Sequence, residues 1–61
     1  MNVVDITHAA LLEAGRPDLA DLVQFFENDD GSLYLEPMDE VSPADLKLML
    51  RAEALAKWAH S

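Results

Sequence analysis

The sequence predicts a small α+β domain: two short N-terminal helices, a two-stranded antiparallel hairpin and a longer C-terminal helix. Three observations carry that expectation. Asn28-Asp29-Asp30-Gly31 is strong turn chemistry between two short apolar runs. Gly15 followed by Arg16-Pro17-Asp18 marks one helix ending and another beginning. Ser42-Pro43-Ala44-Asp45 opens an uninterrupted run, LKLMLRAEALAKWA, with the signature of a capped helix.

In chain order, Val3 to Gly15 reads as a helix over about residues 5–14, with Asp5 placed to cap free backbone N–H groups and Gly15 to take the left-handed exit conformation. Pro17, pre-shaped for a first helical turn, starts a short second helix near 17–22, with Asp18 at the positive end of its dipole. Residues 22–27 then fork. Leu19, Leu22, Val23 and Phe26 keep helical spacing, whereas Val23-Gln24-Phe25-Phe26 is β-branched and aromatic. We take strands near 23–27 and 32–36, the second ended by Pro37, with an all-α three-helix bundle as the alternative. The last helix is expected over 43–59. Leu48, Ala52, Leu55 and Ala59 line one side of it, flanked by Met49 and Trp58. Glu53 and Lys57 make an i,i+4 pair on the opposite side, which should face water, yet Leu46 and Leu50 share that side and imply a second contact. A hairpin alone is marginal, so this helix should cover it.

A chain of 61 residues has room for one domain and one core, and 51% hydrophobic with 26% charged residues is a folding composition. The core must therefore use nearly every large side chain, and Met49, Phe25, Phe26, Tyr34 and Trp58 are all expected in it. With no cysteine, neither a disulfide nor a thiolate metal cluster can reinforce it. The N-terminal stretch lacks the basic and apolar regions of a secretion signal, and no run reaches the roughly 20 apolar residues of a membrane span, so a cytoplasmic location is expected.

The sequence carries no recognisable catalytic or metal-binding motif. With Gly31 at the sixth position of a calcium-binding EF-hand loop, Phe26 and Pro37 fall on the first and twelfth ligand positions, where neither can ligate through its side chain. Asp29-Asp30 and Asp39-Glu40 are adjacent acids without the burial that would separate their pKa values. His8 sits among alanines and leucines and His60 near a helix end, and neither has a metal-ligand spacing or a nucleophilic triad. Gly15 and Gly31 are the only glycines, too few for a phosphate-binding loop. The helix-turn-helix reading fails on DLADLVQFF, which carries two acids and no base. We therefore expect a non-enzymatic protein with no cofactor and no metal.

What remains is charge. The formal net charge is −8, which opposes binding to nucleic acid and to anionic membrane and favours basic protein surfaces. From Asp18 through Asp45 there are nine acids and no lysine or arginine; the four basic residues are Arg16, Lys47, Arg51 and Lys57. Asp18, Asp21, Glu27, Asp29, Asp30, Glu36, Asp39 and Glu40 are the candidate partner-binding residues, because concentrated carboxylates accelerate encounter with a basic partner and can pair with its arginines. A surface built to hold nucleic acid is the commonest basic surface, so DNA mimicry is the functional expectation. Against it stands solubility, which negative charge serves without any partner.

In its length, its acidic FENDDGSLYLEPMDE segment and its lack of catalytic motifs, the chain resembles the small acidic phage-encoded inhibitors of host defence, in particular anti-CRISPR proteins of the type I systems. The resemblance implies binding to a CRISPR surveillance complex and exclusion of target DNA, at the surface that reads the PAM; no residue is carried over by motif. A monomer is expected. The rival expectation is a structural or adaptor module that docks or dimerises through Leu46 and Leu50 on the last helix, its acids serving solubility alone.

Overall fold

The computed structural model describes residues 2–60, in the order α1 (Val3–Glu13), α2 (Pro17–Ala20), β1 (Val23–Glu27), β2 (Leu33–Pro37) and α3 (Pro43–His60). This is the α+β arrangement expected, and the fork at residues 22–27 resolves as strand.

Helix α1 starts earlier than its sequence suggests. Asn2, and not Asp5, is the N-cap: its side-chain oxygen accepts a hydrogen bond from the Asp5 N–H at 2.8 Å. The helix ends where expected. Gly15 has φ of +76°, and the Gly15 and Arg16 N–H groups donate to the Leu12 and Leu11 carbonyls, both at 3.0 Å. Helix α2 is a single turn opened by Pro17. Helix α3 is capped by Ser42, whose Oγ accepts from the Asp45 N–H at 3.2 Å.

The hairpin pairs Val23 with Pro37, Gln24 with Glu36, Phe25 with Leu35, Phe26 with Tyr34 and Glu27 with Leu33. Its three-residue loop is a turn closed by the Gly31 N–H on the Asn28 carbonyl at 3.0 Å, with Gly31 in the left-handed region at φ of +89°. Side chains alternate across the sheet. Val23, Phe25 and Leu35 face the core, while Gln24, Phe26, Tyr34 and Glu36 face outward.

Leu11, Leu19, Ala20, Leu35, Met49 and Ala52 form the core, with Ala56 and Thr7 also buried. Thr7 satisfies its hydroxyl by donating to the Val3 carbonyl at 2.8 Å. The main interface is α1 against α3, and α3 also lies along β2. Two expectations about the core are corrected. The buried line of α3 is Met49, Ala52 and Ala56, rotated from the expected one, so Leu55 is 54% and Trp58 79% exposed. Phe26 and Tyr34 are also largely outside the core, because the alternation that buries Phe25 and Leu35 turns them to the other face. The buried side chains of α1 and α3 are Thr7, Leu11, Met49, Ala52 and Ala56, with no aromatic among them. Among the described residues no helix is long and apolar enough to cross a membrane.

Candidate functional site

All eight candidate acids are exposed. The hairpin arranges most of them into two groups. At the turn end stand Glu27, Asp29 and Asp30. At the open end the ladder continues one rung beyond the strands, through the Met38 N–H on the Leu22 carbonyl at 2.7 Å, so Asp21 and Asp39 flank that rung with Glu40 beside them. From the Asn28–Ser32 rung to the Leu22–Met38 rung is six residues, about 20 Å of strand. Glu36 lies between, on the outer face, next to Phe26 and Tyr34, whose rings stack with centroids 5.7 Å apart and planes inclined by 30°. The acids are therefore gathered at the two ends of the hairpin, with Glu36 and the aromatic pair on the outer face between them and Glu27, in phase with Phe25, on the opposite face.

Some of these carboxylates also hold the local structure. Asp30 Oδ1 accepts from the Ser32 N–H at 3.0 Å and from the Ser32 hydroxyl at 2.6 Å, and these bonds hold its pKa below the ordinary aspartate value. Asp39 Oδ1 accepts from the Glu40 N–H at 2.8 Å. Asp18 stands apart from the hairpin groups: Arg16 Nε and Nη2 donate to its two oxygens at 3.1 and 3.0 Å, which lowers its pKa and offsets part of its charge. The same guanidinium reaches Asp45 through Nη1 at 3.0 Å and so ties the first turn of α2 to that of α3.

The remaining seven acids make no ion pair among the described residues. None of the other three cations pairs with a hairpin acid among the described residues. Lys57 pairs with Glu53 at 3.6 Å. Glu53 fixes the side of α3 that meets the hairpin, because its Oε2 accepts the Leu35 N–H at 2.8 Å. At about 100° per residue, Arg51 and Lys47 stand roughly 160° and 120° round the helix from it, so both point away from the hairpin. Lys47 and Arg51 are thus turned from the hairpin, whereas Lys57, one helical turn beyond Glu53, stays on its side of α3 and borders a groove with Gly31, Ser32 and Leu33.

Among the described residues, open grooves of about 240 Å³ beside Ala10, Leu48, Arg51 and Leu55 and of about 390 Å³ beside Ser32, Leu33, Lys57 and His60 indent the surface. Neither is lined by any of the eight acids. The acids thus stand on open surface outside both grooves. Among the described residues no three His, Asp or Glu side chains converge as a metal site would require.

Sequence reasoning missed Glu53, assigned above to the water-facing side of α3, and the exposed aromatic pair. The signal for the pair was available: once Phe25 is placed inward, strand alternation sends Phe26 and its partner Tyr34 out. No protein-family model matches the chain, and no curated protein or solved structure matches it.

Proposed function

We propose that this protein is a non-enzymatic inhibitor that binds a basic, nucleic-acid-handling surface of another protein or complex and excludes nucleic acid from it. The observation that carries this reading is the separation of charge: seven exposed acids without an ion pair on and beside the hairpin, with Lys47 and Arg51 turned to the far side of α3. Such a face attracts a positively charged groove over about a Debye length and repels phosphate. The resemblance to type I anti-CRISPR inhibitors supplies a first partner to try, a CRISPR surveillance complex, and the competitor it would displace, target DNA.

The test is displacement of labelled duplex DNA from the candidate complex. The native protein should release the DNA in a salt-sensitive manner, and a variant with Asp29, Asp30, Asp39 and Glu40 all changed to Lys should not, while keeping its helical circular dichroism. Equal displacement by the variant would falsify the reading. A second reading, an adaptor that docks through α3, is favoured by the exposure of Leu50, Leu55 and Trp58 on that helix. Leu46, expected to share that contact, is half-buried. Binding indifferent to salt and abolished by Leu55→Asp would select it.

A further inference from the structure

Resting on that reading, we propose that β1 receives an extended basic segment of the partner as a third strand. In an antiparallel ladder, alternate residues turn their N–H and C=O groups inward and outward. The hydrogen-bonded rungs Asn28–Ser32 and Leu22–Met38 set the phase, so the odd-numbered residues of both strands point outward. On β2 this outer edge is closed in two places: Glu53 takes the Leu35 N–H, and Pro37 has none to offer. On β1 it is open. The N–H and C=O groups of Val23, Phe25 and Glu27 have no hydrogen-bond partner among the described residues. The edge is also held in place, since Val23 and Phe25 pack against the core.

Charge selects the occupant. Asp21 stands at one end of this edge and Glu27, Asp29 and Asp30 at the other, and no lysine or arginine occurs from Asp18 through Asp45. A second copy pairing β1 with β1 antiparallel would bring the turn acids of each chain toward Asp21 of the other, with a net charge of −8 on both. An extended segment bearing arginine or lysine meets the opposite: main-chain hydrogen bonds along the edge and carboxylates at both ends. Its outward side chain beside Phe26 would lie next to the Phe26–Tyr34 stack, where a guanidinium finds an aromatic face.

The probe is a nine-residue peptide of alternating arginine and threonine, followed by amide exchange of the full-length protein. Binding should slow exchange of the Val23, Phe25 and Glu27 amides by about tenfold or more, and leave the Leu33 amide unchanged. N-methylation of one alternate set of peptide amides should weaken binding by about tenfold, as expected for two or three lost hydrogen bonds, and methylation of the other set should not. Equal affinity for both methylated peptides, or binding without protection of the three amides, overturns strand addition while leaving the acidic-surface reading intact. Failure of the peptide to bind at all, or binding undiminished in the four-lysine variant, overturns both. Protection that grows with protein concentration in the absence of peptide assigns the edge to a second copy and overturns the basic occupant.

Discussion

Removing Glu53 tests how the hairpin is fastened to α3. Its side chain is only 13% exposed and its Oε2 accepts the Leu35 N–H at 2.8 Å, with Leu35 itself 6% exposed. Glu53→Ala leaves a buried donor with no partner, which costs about 1–3 kcal/mol. The Lys57 pair adds little, since it is an i,i+4 contact at 3.6 Å with Lys57 45% exposed, of a kind that contributes about 0.3–0.5 kcal/mol. A loss near 2 kcal/mol is large for a chain this short, whose total stability should be about 3–9 kcal/mol at 0.05–0.15 kcal/mol per residue. It corresponds to a fall in Tm of about 8–16 °C, at 4–8 °C per kcal/mol. Glu53→Gln keeps an acceptor and should lose about half as much; Lys57→Ala should lose about 0.5 kcal/mol or less. Thermal and urea unfolding followed by far-ultraviolet circular dichroism measure all three. The reasoning fails if Glu53→Ala lies within about 0.5 kcal/mol of the native protein, or if Lys57→Ala is as damaging as Glu53→Ala.

Three further outcomes follow from the packing and the turn. Met49 is fully buried, so Met49→Ala should cost about 2–5 kcal/mol in urea unfolding, a large share of the total, whereas Leu50→Ala, at a position 43% exposed, should cost far less. Asp30 has its folded pKa lowered by Ser32, so its contribution to stability is complete above the unfolded value near 3.8 and is lost as pH falls through the lowered one; Asp30→Ala should flatten that part of the acid-denaturation profile. Trp58 is 79% exposed, so its fluorescence should be red-shifted and open to acrylamide quenching at all protein concentrations; shielding that grows with concentration would favour docking through α3.

Local signals located the elements of this fold well, because each boundary is set by a backbone device: Gly15 for the end of α1, Asn28 to Gly31 for the turn, Ser42 for the start of α3. Faces were harder. On α3, leucines and alanines surround much of the helix, so periodicity could not choose between a line through Leu55 and one through Ala56. The choice is made by tertiary packing, chiefly of α1 against α3, which covers Met49, Ala52 and Ala56 and leaves Leu55 exposed. Glu53 was misplaced for a related reason: an acid on a helix reads as solvent-facing, and only the register of β2 reveals a backbone N–H that needs an acceptor there. The acidic span was visible from composition. Its division into two groups about 20 Å apart, with an aromatic pair between them, required the strand register.

The pairing of α1 with α3 bears on how the chain is made. These elements lie at opposite ends of the described sequence, with the hairpin between them, and Leu11 gains Met49 and Ala52 beside Leu19 and Ala20 only when α3 is in place. During synthesis, then, α1 and the hairpin leave the ribosome before the elements that would bury them, and assembly waits for α3 to emerge. The carboxylates from Asp18 to Asp45 are already present in that chain, and like charge on neighbouring copies opposes their association.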